Sequence, residues 1–135
     1  MPDVVRDTRA MLANMTPVLK DGEFVFCATT DADVIARALP LALGSFKEDE
    51  AVTLILGRAD ASTLGFSVAM PMRRIELEVF SSLEGVGLTA AVAGALAAQD
   101  IPCNMVAAFH HDHVFVPADM AERALAVLLD VQTRA

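Results

Sequence analysis

Between Arg73 and Asp130 the hydrophobic period switches from two to 3.6 and back again, an order that few folds accommodate. Arg74, Glu76 and Glu78 alternate with Ile75, Leu77 and Val79, the pattern of a strand with one buried and one wet face. From Gly87 to Gln99, Leu88, Ala91, Val92, Ala95 and Leu96 recur at helical spacing, and their small size lets this helix lie close to a sheet. Ile101 to Phe109 and His113 to Val116 read as two more strands, with His110, His111 and Asp112 between them. Pro117, Ala118 and Asp119 then open a last helix in which Ala121, Ala124, Leu125 and Leu128 share a face. The resulting order is β-α-β-β-α.

The N-terminal half is less regular. Asp7 to Leu19 carries a helical stripe, but Pro17 disfavours helical geometry at Thr16, so a helix ending near Met15 is expected. Asp21 and Gly22 mark a turn before a strand over Glu23 to Ala28. Thr29 to Arg37 is ambiguous, with Thr30 or Asp31 able to cap a short helix. Leu39 to Phe46 and Ala51 to Leu56 suggest a hairpin around the solvated turn Lys47 to Glu50. Arg58 to Leu64 can make one short helix, closed by Gly65.

At 135 residues the chain fits one domain, or two small subdomains sharing a core. It is 55% hydrophobic and only 21% charged, with a mean hydropathy of +0.49, so part of its apolar surface is expected to meet a partner chain. A formal charge of −8 argues against nucleic acid, which is bound through clustered Lys and Arg. The longest apolar run, Gly85 to Ala98, falls short of the roughly 20 residues that span a bilayer, so no membrane partner is expected. The mixed-charge N-terminus lacks the features of a secretory signal, and a cytoplasmic location is expected. Cys27 and Cys103, each inside an apolar run, read as buried thiols.

Signatures of catalysis are missing: there is no Ser nucleophile elbow and no Walker loop. Gly85-Val-Gly-Leu-Thr-Ala90 is half a dinucleotide fingerprint, and its helix leads into a hairpin rather than a parallel sheet. His110, His111, Asp112 and His113 have donors suited to zinc, with His111 and His113 on one side of a strand. A zinc site needs three or four convergent ligands, and no distant Cys or His supplies the rest. The cluster is therefore read as a hairpin turn, with no metal and no cofactor expected.

Residues 75–116 resemble the ACT domain, a ferredoxin-like βαββαβ module that binds amino acids and other small effectors. The resemblance rests on Ile75-Glu-Leu-Glu-Val-Phe-Ser-Ser-Leu-Glu-Gly-Val-Gly-Leu-Thr-Ala90, on Ile101-Pro-Cys-Asn-Met-Val106 and on His113-Val-Phe-Val116. With Met15-Thr-Pro-Val-Leu19 added, roughly residues 10–130 look like small bacterial proteins of uncharacterised function with two ACT-like halves. These are similar in turn to the ACT halves of a cytosolic arginine sensor. The resemblance implies an α+β fold of two fused ACT-like halves, residues 1–70 and 71–135, with antiparallel sheets and helices on one face. Asp100 departs from the pattern by standing where the family commonly has Gly. No strand follows the last helix, so the second half must borrow its fourth strand from the first.

The resemblance also implies a non-catalytic regulatory protein that dimerises and holds an amino-acid-like effector in the loop joining the first strand of the second half to its helix. Ser81, Ser82, Glu84, Gly85, Val86, Gly87 and Leu88 form that loop. Unpaired helix-start amides favour an anion, glycines let a ligand approach the backbone, and Glu84 can receive an amine. The opposing wall comes from Asn104 and the His110 region, or from Ser45 and Phe46. Ordinary capping explains the Ser and Gly residues equally well, and Asn104 has the outward parity of its strand. A structural or protein-interaction module without a ligand is the alternative.

Overall fold

The computed structural model describes residues 10–78 and 87–135. In chain order the elements are a helix over residues 10–14 (α1), β1 (Pro17–Leu19), β2 (Phe24–Thr29), α2 (Ala32–Ala38), β3 (Gly44–Lys47), β4 (Val52–Gly57), α3 (Arg58–Thr63), β5 (Met72–Leu77), α4 (Leu88–Ala98), β6 (Asn104–Ala107), β7 (Asp112–Pro117) and α5 (Ala121–Arg134). Single 3-10 turns at Leu39–Leu41 and Ala118–Met120 lead out of α2 and into α5. The chain packs as two compact units. One is Gly22–Met72; the other joins the stretch ending at Asp21 to Arg73–Ala135.

The Gly22–Met72 unit has the strand order β3-β4-β2, all antiparallel, and closes with Met72 opposite Phe24. The period of two along β2 turns Val25 and Cys27 to the side where Leu54 and Leu56 of β4 and the small Ala38 and Ala61 of the helices complete the core. Asp31 caps α2, so the ambiguous Thr29 to Arg37 segment is helical from Ala32. The α3 helix ends in two reciprocal bonds, Phe66 N–H to Ala61 C=O (2.9 Å) and Gly65 N–H to Ser62 C=O (3.1 Å), with Gly65 at φ +88°. Only a residue without Cβ takes that conformation without strain.

In the other unit β5 lies between β1 and β7, and β6 hairpins onto β7 with Asn104 opposite Phe115 and Ala107 opposite Asp112. The strand missing after α5 is supplied by β1, paired antiparallel with β5 through Pro17–Leu77 and Leu19–Ile75. The segment Pro17 to Leu19, expected only to follow a helix, is thus a strand, because pairing with β5 satisfies a backbone that Pro17 removes from helical geometry. Both helices cover one face: Leu88, Val92 and Leu96 of α4 and Ala121, Ala124 and Leu128 of α5 pack with Ile75, Leu77, Val114 and Val116.

Two sequence expectations need correction here. The strand expected over Ile101 to Phe109 is confined to Asn104–Ala107. Ile101 is instead tied to the helix end, its N–H bonded to Leu96 C=O (3.0 Å), and Pro102 has no N–H to give a ladder. Similarly, the run expected from Leu39 begins its strand only at Gly44, after the 3-10 turn. Asp100, standing where the family commonly has Gly, closes α4 in left-handed geometry. It holds φ +58°, and its N–H meets Ala97 C=O at 3.0 Å, a glycine's geometry taken by an aspartate. Among the described residues no helix is long and apolar enough to cross a membrane.

Candidate functional site

Each unit contains a strand-to-helix junction of the kind that can receive a ligand's charged end, and the two are built differently. In the Gly22–Met72 unit, Asp31 turns its carboxylate onto the backbone N–H groups of Asp33 (2.9 Å) and Val34 (3.2 Å), while the Thr29 hydroxyl accepts from Asp31 N–H (3.1 Å). Two first-turn donors are thus taken by the chain's own side chain. At the start of α4 the capping position is Gly87, at φ +97°, and no side chain caps the first turn among the described residues. The helix engages Gly87 only through its carbonyl, which accepts from Ala91 N–H at 2.9 Å.

Ser81, Ser82, Glu84, Gly85 and Val86 lie outside the described residues. Leu88 is 4% exposed and part of the core, so only its backbone is available to a ligand. Asn104 is exposed on β6, in agreement with its outward parity. His110 is exposed in the β6–β7 turn, its ring edge-on to Phe109 with centroids 5.1 Å apart. The expected site residues therefore fall on three elements: the start of α4, β6 and the hairpin turn.

A polar cluster that the sequence does not assemble occupies the other face of β5. Arg74, Glu76 and Glu78 project opposite to Ile75 and Leu77. Arg74 donates from Nη1 to Nδ1 of His113 (3.1 Å), and since a guanidinium can only donate, His113 is neutral with its proton on Nε2. Burial, reinforced by the Arg74 charge, holds the His113 pKa below its ordinary value. Glu76, with a side chain 13% exposed, lies 3.7 Å from Lys20 Nζ and 3.7 Å from Arg74 Nη1. It also shares a hydrogen bond with Glu78, which lowers the Glu76 pKa and raises that of Glu78. His111 completes the group: its donor atom and those of Glu76 and Glu78 all lie within 4.8 Å of one another.

Alternation in the sequence marks Glu76 and Glu78 as wet-face residues, but the pairing of β5 beside β7, which brings His111 to them, is a tertiary fact. A separate groove of about 420 Å³ between α4 and α5 is lined by Ala95, Gln99, Arg123, Val127 and Asp130 among others.

Comparison with known proteins places this arrangement in a family. An ACT domain profile matches residues 5–73 and a second ACT domain profile matches residues 75–130. The chain belongs to the ACT domain family, with one match in each half. Among solved structures it is similar to a Vibrio cholerae protein of unknown function described as a possible transport protein, at 34% identity and a TM-score of 0.84 over 96% of this chain and 99% of that one. It also shares its fold with the alpha and beta subunits of an aspartokinase (12% identity, TM-score 0.63, 87% of this chain and 97% of that one). The regulatory subunit of aspartate kinase from Thermus flavus is alike to a similar degree (10% identity, TM-score 0.62, 87% and 97%). No curated protein matches the sequence.

Proposed function

We propose that this chain is a regulatory, non-catalytic protein that binds an amino-acid-like effector at the strand-to-helix junction of its second ACT half, around Ser81, Ser82, Glu84, Gly85, Val86, Gly87 and Leu88. The observation that carries the reading is the difference between the two junctions. One is closed by the Asp31 carboxylate, whereas Gly87 takes a left-handed conformation and offers no side chain to its helix. An α-carboxylate can take at α4 the place that Asp31 takes at α2, since both present an anion to first-turn amides. Membership of a family typically concerned with regulatory amino-acid binding agrees with this, as does likeness to a regulatory subunit of aspartate kinase.

Asn104 and His110 supply the opposing wall in this proposal. The halves 1–70 and 71–135 act as two ACT-like units in a cytoplasmic homodimer, and the signal passes to another protein through a change in packing. The exposed Phe46 on β3 and a mean hydropathy of +0.49 support self-association. Neither nucleic acid nor a membrane is a partner in this reading, given the charge of −8.

A thermal-shift screen against the common amino acids tests the proposal, because a ligand that binds only the native state raises the melting temperature by mass action. At least one amino acid at millimolar concentration is expected to raise it. If none does, the second reading, an interaction module without a ligand, takes its place.

A further inference from the structure

We propose that Glu76, Glu78 and His111 form a binding site for a divalent first-row transition-metal ion, with zinc as the first candidate. The sequence shows histidines without further ligands; the fold supplies the ligands from β5. One imidazole nitrogen and two carboxylate oxygens, all within 4.8 Å of one another, make a donor set that zinc accepts. Tetrahedral bonds of about 2.0–2.1 Å hold donors roughly 3.3–3.5 Å apart, so side-chain rotation alone closes the site. Glu78 is exposed and lies just past the end of β5, which leaves it room to rotate.

An independent observation points the same way. Nδ1 of His111 is shut off from solvent and has no hydrogen-bond partner among the described residues. A ring nitrogen in that position is costly in either tautomer, by about 1–3 kcal/mol for an unsatisfied group. A metal ion bound at Nδ1 would give this nitrogen the partner it lacks. His113 is excluded from the ligand set because its Nδ1 already accepts from Arg74, and His110 because it is exposed in the turn.

Lys20 and Arg74 place positive charge beside the site. Each stands 3.7 Å from Glu76, too far for a hydrogen bond, so neither cation takes up a lone pair of its carboxylate. The Lys20 side chain is 38% exposed and can swing into water as an ion enters, whereas Arg74 is held by His113. Three protein ligands leave a fourth position for water or an exchangeable ligand. The site goes beyond the effector proposal and does not depend on it.

The test is a zinc titration of the untagged, chelator-stripped full chain by calorimetry, with cobalt(II) absorption as a second readout. The expected result is one ion per chain and an intense cobalt d–d band. Glu78→Gln and His111→Ala should each weaken binding about tenfold or more, since even outer-shell partners are worth 10–100-fold. His110→Ala should leave binding unchanged and Lys20→Met should tighten it. Because Glu78 is exposed, its variant keeps the fold, which the melting temperature verifies. Absence of zinc uptake by the wild-type chain, wild-type affinity in either ligand variant, or a loss in His110→Ala matching that in His111→Ala would each overturn the proposal.

Discussion

The two halves of this chain solve the same local problem, starting a helix after a strand, in opposite ways. In the first, Asp31 spends its carboxylate on the amides of Asp33 and Val34, and α2 needs nothing from outside. In the second, Gly87 caps α4 without a side chain. The ends of the two corresponding helices differ as well: α2 runs on through Leu39 in right-handed geometry into a 3-10 turn, whereas Asp100 closes α4 in left-handed geometry at φ +58°. The starts of these two helices thus diverge, one capped by Asp31 and the other without a side-chain cap among the described residues.

Because no side chain caps α4 among the described residues, its attachment is expected to come from packing. Leu96, fully buried among Ile75, Val92 and Leu128, should therefore show the largest effect: Leu96→Ala is expected to cost about 2–5 kcal/mol in denaturant unfolding. A cost below about 1 kcal/mol would mean that something other than the core holds the helix. Next comes Gly87→Val, which forces a β-branched residue into left-handed geometry at φ +97° and should cost about 1–3 kcal/mol. It should also remove any amino-acid-induced thermal shift.

Asp31→Ala sharpens the contrast from the other side. Loss of its two capping bonds should lower stability by about 0.5–2 kcal/mol, yet leave effector affinity unchanged. Equal loss of effector binding in the Asp31 and Gly87 variants would erase the functional distinction between the junctions. The smallest effect belongs to Asp100→Gly, where relief of the left-handed strain should raise stability by up to about 1 kcal/mol, visible as a higher melting temperature.

Much of this was legible in the order of residues. The 3.6 period of Leu88, Val92 and Leu96 marks α4 and its buried face, and the alternation of Glu76 and Glu78 with Ile75 and Leu77 marks a strand with a polar side. Such patterns are read locally because helix and strand geometry repeat locally. Short elements were harder. Pro17 to Leu19 is a strand only because β5 lies beside it, and Ile101 looks like strand sequence yet belongs to the close of α4. The cluster of Glu76, Glu78 and His111 was illegible for a related reason: His111 stands more than thirty positions from the two glutamates and meets them through sheet pairing. Of the proposed effector loop, only Gly87 and Leu88 lie within the described residues, and Leu88 commits its side chain to the core, as its place on the helical stripe implies.

Backbone amide NMR during titration with the amino acid that gives the largest thermal shift tests the central claim most directly. An effector seated at the second junction moves the resonances of Gly87, Leu88 and Thr89 in a saturable way and leaves those of Asp33 and Val34, already bonded to Asp31, in place. Saturable shifts at Asp33 and Val34 with none at Gly87 to Thr89 would contradict it.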